Sequence, residues 1–125
     1  MRIPLILILT LSTLGCSGRG AADRYLDEAY RHYAADNCEK TALALSQAER
    51  MLRSGNPVQS EISLLRGHCL ERQMLYVDAA QTYLFIQSRY PATEYAYRAR
   101  ARLETLRQLG HYQEGTPALA HPVGR

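Results

Sequence analysis

Apolar residues recur at helical spacing from residue 23 to about residue 109, and no segment of convincing length alternates between apolar and polar residues. Within this stretch, prolines occur only where the pattern breaks, at Pro57 and Pro91. The pattern predicts five helices, over residues 23–36, 38–53, 58–73, 76–90 and 94–109. The predicted fold class is therefore all-α.

Each predicted helix has an apolar face and recognisable ends. The faces of the second and fifth helices are expected to bury Ala42, Leu45, Ala48, Leu52, Ala96, Ala99, Leu103 and Leu106. Asn37 is suited to cap the start of the second helix, and Gly110 to end the fifth. Residues 110–125 show little periodicity and are predicted to form a mobile tail.

The first fifteen residues follow a different pattern. Arg2 precedes an apolar run over residues 3–14, which has the length of a signal-peptide core and is shorter than the ~20 residues that span a bilayer. The Gly15-Cys16 step that ends the run resembles the lipobox of bacterial lipoproteins. This resemblance implies cleavage of a signal peptide over residues 1–15 and attachment of diacylglycerol and a fatty acyl chain such as palmitate to Cys16. An ordinary secretory signal with an incidental cysteine is the alternative.

Length, charge and cysteine content limit the fold and the partners of the chain that follows the predicted signal. After the signal, residues 16–22 are expected to form a linker and residues 23–109 a single helical domain. The net charge of the full chain is only +3, which argues against a nucleic-acid partner. Cys38 and Cys69 would remain in an oxidising compartment, and both are expected at the same end of the helical stack. A disulfide between them and two reduced cysteines both remain open.

The second half of the chain contains a repeat-like pattern, made by Gly67, Tyr76, Ala79, Tyr83 and Pro91. It resembles the tetratricopeptide repeat (TPR), a helix-turn-helix unit of about 34 residues. Arg66 and Met74 depart from it, because leucine and glycine are usual there. A weaker copy is expected 37 residues upstream, with Tyr30, Glu39, Ala42 and Ser46 as counterparts. The resemblance implies two TPR-like hairpins followed by a C-terminal capping helix.

Residues 83–96, YLFIQSRYPATEYA, resemble more specifically a segment of bacterial envelope TPR proteins. Those families include the barrel-assembly lipoprotein D and the Tol–Pal-associated coordinator families, whose members are protein–protein adaptors. This resemblance implies one or more envelope proteins as partners. Ser17 after Cys16 resembles the outer-membrane sorting pattern of enteric bacteria, which implies an outer-membrane lipoprotein facing the periplasm.

No arrangement of residues suggests catalysis. The four histidines have no metal-ligand spacing with one another or with cysteine, and no phosphate-binding glycine loop is present. We therefore expect no enzyme activity, no metal, no cofactor apart from the lipid and no small-molecule substrate.

A partner-binding groove is the remaining candidate site. In TPR arrays, the first helix of each hairpin lines a concave groove, which here means the first, third and fifth helices. The resemblance places the following residues in it: Arg24, Asp27, Arg31, Leu64, His68, Arg72, Tyr95, Arg98 and Arg102. Arginine forks favour an acidic partner segment. The alternative is a solvated face, with local partners such as Asp27, Glu71 and Glu94.

Two functions follow from these expectations. The first is a lipid-anchored adaptor that holds a partner protein near the membrane. The second is a structural lipoprotein in a larger envelope assembly for secretion, pilus formation, division or outer-membrane biogenesis, whose helical faces are covered by fixed neighbours.

Overall fold

The structure, a computed structural model, describes residues 17–115, with side chains from residue 20 onward. This part of the chain is all-helical and contains no strand. The five helices are α1 (Ser17–Ala34), α2 (Cys38–Arg50), α3 (Val58–Arg72), α4 (Tyr76–Arg89) and α5 (Glu94–Gln108). No helix in the described residues is both long and apolar enough to cross a membrane. The all-α prediction is confirmed.

The predicted helix starts agree with the structure for α2 to α5, whereas α1 differs. It begins at Ser17 instead of residue 23, so the expected linker over residues 16–22 is wrong from residue 17 onward. Ala22 is 2% exposed, and its burial fixes this part of the chain in the helix. Cys16, the signal segment and residues 116–125 of the predicted tail lie outside the described residues.

The helices form two hairpins, α1–α2 and α3–α4, and α5 packs against α4 and α3. One core cluster joins α1, α2 and α3 through Leu26, Ala29, Ala44, Leu45, Ala48, Ile62 and Leu65. A second joins α3, α4 and α5, and includes the buried residues Leu64, Ala79, Tyr83, Ile86, Ala99, Leu103 and Leu106. Because α3 contributes to both clusters, it is the central helix of the domain.

The buried face of α2 differs from the prediction. Ala42 is exposed, whereas Thr41 and Ala44 are buried beside Leu45 and Ala48. Thr41 is polar, but its hydroxyl donates to the carbonyl oxygen of Asn37 at 2.8 Å, which makes its burial tolerable. The true face is therefore rotated by about one residue from the predicted one.

The turns after α1 and α3 have the same geometry, so they show which residues of the first hairpin correspond to which residues of the second. Asp36 and Met74 have φ angles of 57° and 59°, and in each turn the next residue donates its N–H to the carbonyl oxygen five residues earlier, at 2.9 Å. This is a Schellman motif, and Gly110 repeats it after α5 with φ of 76°. Asp36 and Met74 are 38 residues apart (74 − 36), so the predicted shift of 37 is wrong by one.

Two further contacts join the hairpins. The Arg66 guanidinium forms a two-pronged ion pair with Glu49, with N–O distances of 2.7 and 2.9 Å, which connects α3 to α2. Cys38 and Cys69 form a disulfide, with Cα atoms 5.4 Å apart. Both cysteines are buried. The disulfide fastens the start of α2 to the last turn of α3.

Candidate functional site

The predicted groove corresponds to a face built by α1, α3 and α5, which we call the groove face. At its centre is a shallow cavity of about 310 Å³, lined by Tyr33, His68, Glu71, Arg72 and Arg102. Three of these five, His68, Arg72 and Arg102, are among the predicted groove residues. A larger depression of about 430 Å³ lies along α1 and α2, but it belongs to one hairpin and includes none of the predicted residues.

Arg72 fastens α3 to the end of α1. Its guanidinium carbon lies 3.5 Å from the centre of the Tyr33 ring, a cation–π contact. The same guanidinium donates to the carbonyl oxygen of Tyr33 at 2.6 Å and approaches the Asp36 carboxylate at 3.4 Å. Two of its interactions are therefore with the C-terminal turn of α1, where a cation is favourable.

Arg102 is held by Glu71. Its guanidinium binds both carboxylate oxygens, and the Nε–Oε1 distance is 2.9 Å. Tyr83 also donates its hydroxyl to Glu71 at 2.5 Å. Burial alone would raise the pKa of Glu71, but the hydrogen bonds from Arg102 and Tyr83 outweigh it and hold the pKa below its usual value. This carboxylate thus joins α3, α4 and α5.

His68 lines the cavity and lies between two aromatic rings. Its ring centre is 6.2 Å from those of Tyr33 and Tyr83. Burial lowers the pKa of His68 below its ordinary value, and the charges of Arg102 and Arg72 lower it further against the opposing charge of Glu71. Burial and the two arginines therefore favour the neutral form of His68 in the folded domain.

Acidification is expected to destabilise the domain in two pH windows. The pKa of His68 is depressed on folding, so the unfolded chain binds a proton more readily and stability falls as the pH drops below ~6.5. The pKa of Glu71 is also depressed, so its contribution is present above about pH 4.5 and is lost below that value. Urea denaturation at several pH values would measure both. His68→Gln should remove the first window and keep the second; an unchanged profile would contradict this assignment.

A second part of the groove face lies nearer the start of α3. Tyr30 donates its hydroxyl to Glu61 at 2.8 Å. Burial and the Glu61 carboxylate raise the pKa of Tyr30 above its usual range and that of Tyr95 to about 12. Arg98 lies beside them and pairs with Glu94 on its own helix at 3.1 Å. Tyrosines and carboxylates thus contribute as much to the groove face as arginines do.

The remaining predicted groove residues do not reach the cavity. Arg24 and Arg31 are exposed on α1 and form no ion pair within residues 17–115. Leu64 is only 5% exposed and belongs to the core, so its placement in the groove was wrong. Its position on α3 turns it toward α4 and α5 instead.

Most arginines of the groove face thus already bind a carboxylate of the domain itself. Arg72, Arg98 and Arg102 each have a carboxylate partner, and two of those partners, Glu71 and Glu94, are the ones that the solvated-face interpretation names. Sequence reasoning missed Tyr30, Tyr33 and Glu61. Tyr30 and Tyr33 lie three residues apart on α1, which was an available signal, whereas Glu61 has no groove-face residue at helical spacing of three or four. Within residues 17–115, no group of histidine, cysteine, aspartate and glutamate side chains is arranged to hold a metal ion.

Comparison with known proteins gives no assignment. The chain matches no protein-family model, no curated protein and no solved structure at a significant level.

Proposed function

We propose that the chain is a lipid-anchored envelope protein whose helical domain holds a partner protein through the groove face. The observation that carries this proposal is the cavity into which α1, α3 and α5 each place side chains. A surface built from three helices, rich in tyrosine and arginine, has the composition of protein-binding hot spots. The tetratricopeptide-like pattern of the sequence supports the same function, because such repeats act as adaptors.

The anchor in this proposal is Cys16. Its support is the apolar run over residues 3–14 that ends at Gly15-Cys16. The start of α1 at Ser17 adds a consequence, since a lipid on Cys16 would join the domain without a flexible linker. The outer membrane, with the domain in the periplasm, is the location we propose.

Lipidation is tested by replacing Cys16 with serine in the full chain. We expect the variant to remain uncleaved or to leave the membrane fraction, because serine lacks the thiol that accepts the lipid. The measurement is fractionation of cells combined with the mass of the mature N-terminus. A Cys16→Ser protein of mature size that still fractionates with membranes would contradict the anchor.

Partner binding is tested by reversing two exposed arginines, Arg31→Glu with Arg98→Glu. These lie on the groove face side of α1 and α5, whereas Arg72 and Arg102 hold helices together and would confound the result. We expect roughly tenfold weaker binding of a partner captured by cross-linking, a change of ~1.4 kcal/mol, with helicity unchanged.

A matched control carries the same change of net charge elsewhere. Lys40→Glu with Arg100→Glu reverses two exposed residues that lie outside the predicted groove set, whereas Arg31 and Arg98 belong to it. Binding should survive in this control and should weaken with salt in the unmodified protein. Equal binding by the two double variants would support the solvated-face interpretation and refute the groove.

A structural role in a larger assembly is the second candidate, and one observation favours it. The outer face of α4 exposes Val77, Leu84 and Phe85 to 43%, 37% and 45%. Apolar side chains clustered on one helix face suit a permanently covered interface. A stoichiometric complex that survives high salt and loses its partner on Phe85→Ser would support this role over transient binding.

A further inference from the structure

Exposed apolar side chains are concentrated on the outer face of α4. Within residues 20–115, α4 exposes three large apolar side chains between its first and last residue, whereas no other helix exposes more than one. The three are Val77, Leu84 and Phe85, and their spacing of seven and eight residues puts them on one side of the helix. All exposed residues of α4 define this outer face, and they are Val77, Asp78, Gln81, Leu84, Phe85, Ser88 and Arg89.

The outer face of α4 is suited to being covered. Ser88 donates its hydroxyl to the carbonyl oxygen of Phe85 at 3.0 Å, and Thr82, at the edge of the face, donates to that of Asp78 at 2.8 Å. Because these hydroxyls already have partners within the helix, covering them would leave neither unsatisfied. The Phe85 ring packs edge-on against Tyr90, with ring centres 6.1 Å apart, so it is an ordered aromatic anchor.

One charge of each sign lies on this face. α4 contains only two charged residues, Asp78 in its first turn and Arg89 in its last, and residues 73–93 add no other, so the pattern does not depend on where the helix is taken to end. Neither residue forms an ion pair with another side chain of residues 20–115. Their spacing corresponds to three helical turns, which places both charges on the same edge of the outer face, about 16 Å apart.

A face with opposite charges at its two ends is complementary to an identical face in the reverse direction. When two copies of α4 pack antiparallel about a two-fold axis perpendicular to the helices, the charged edges lie on the same side of the contact. Asp78 of one copy then faces Arg89 of the other, and the same pair repeats at the opposite end. A parallel two-fold pair would put the charged edges on opposite sides and leave both charges without partners. The charge order therefore favours a second copy of this chain, in one orientation.

We propose that the outer face of α4 is the interface of a two-fold symmetric homodimer with antiparallel α4 helices. The midpoint of the two charges falls between Tyr83 and Leu84, so Leu84 of both copies lies at the centre, Phe85 lies beside it and an ion pair closes each end. The proposal rests on the α4 surface of the structural role above and names its neighbour. It requires neither the lipid nor the groove face, which α1, α3 and α5 build and which stays open in both copies.

A contact made by one helix is small for a protein–protein interface, so the association should be weak and is best measured in whole cells that produce the full chain. Leu84→Cys places a thiol at the proposed centre, and a short bifunctional maleimide then links two copies. Leu43→Cys on α2 is the matched control, since Leu43 is more exposed than Leu84, at 65% against 37%. Both variants contain Cys16, so any link through that residue is common to both. We expect roughly fivefold more linked dimer with Leu84→Cys.

Charge reversal tests the orientation. Asp78→Arg or Arg89→Asp, each combined with Leu84→Cys, should lower the yield of linked dimer roughly tenfold, because like charges then meet at both ends.

The two reversed proteins, produced together with tags of different length, should link to each other as well as the Leu84→Cys protein links to itself, since every pair is again of opposite sign. A variant that merely failed to fold would not recover on mixing. Equal yields from Leu84→Cys and Leu43→Cys, or no recovery in the mixture, would overturn the dimer. If Leu84→Cys gave no excess of linked dimer while Phe85→Ser still released a different protein, the dimer would be refuted and the structural role kept.

Discussion

Replacing both Cys38 and Cys69 with alanine should lower the free energy of unfolding by about 3–4 kcal/mol, because the disulfide closes a long loop in the unfolded chain. The two residues are separated by 31 positions, and loop-closure entropy for such a length gives about 3.5 kcal/mol. A domain of this size has a total stability of only about 5–15 kcal/mol. The loss would therefore be a large fraction of the whole.

Chemical denaturation of the oxidised protein and the double variant would measure this loss. Reduction of the unmodified protein provides the control, since it should shift the midpoint by nearly as much as the double substitution does. Two free thiols per denatured chain, in protein prepared under oxidising conditions, would contradict the disulfide itself. An unchanged midpoint with the bond intact would contradict its entropic effect.

The sequence was sufficient to predict the helices and the approach of the cysteines because both depend on local signals and connectivity. Asn37 accepts a hydrogen bond from the backbone N–H of Lys40, as a capping residue should. Short turns then make α1 and α3 parallel, which brings Cys38 and Cys69 to one end of the stack. These conclusions need no knowledge of how the helices rotate about their axes.

The sequence left undetermined how each helix is rotated about its own axis. The prediction buried Ala42 because alanine is the more apolar residue, whereas the structure buries Thr41 and satisfies its hydroxyl within the α1–α2 hairpin. The ion pairs of the groove face present the same difficulty, since Glu71 finds Arg102 on a helix 31 residues away. Such pairings depend on the relative rotation of three helices, which periodicity alone does not determine.

With the corrected shift of 38 residues, each hairpin has a small residue on its first helix and a larger side chain on its second helix at equivalent positions. Ala29 and Gly67 occupy equivalent positions 38 residues apart, as do Leu45 and Tyr83, and all four are buried. The first hairpin thus combines alanine on one helix with leucine on the other. The second combines the smaller glycine with the larger tyrosine. A β carbon on Gly67 would overlap the Tyr83 ring, coming to 2.9 Å from Cζ.

Gly67→Ala should therefore lower the free energy of unfolding by about 1–2 kcal/mol. In the interior of a helix this substitution normally stabilises by up to about 1 kcal/mol, but overpacking against a buried ring costs roughly 1–3 kcal/mol. The ring cannot withdraw easily, because its hydroxyl is bound to Glu71. Thermal or urea denaturation would measure the change.

The sign of the effect should reverse when the ring is removed. In a Tyr83→Leu background, which recreates the Ala29–Leu45 pairing of the first hairpin, Gly67→Ala should be neutral or stabilising by up to ~1 kcal/mol. A Tyr83→Phe background keeps the ring and loses only the hydroxyl, so Gly67→Ala should still destabilise there. If Gly67→Ala had the same effect in all three backgrounds, the overlap with Tyr83 would not be the reason for glycine at this position. A reversal confined to the leucine background would show that the two hairpins reach the same crossing by opposite distributions of side-chain volume.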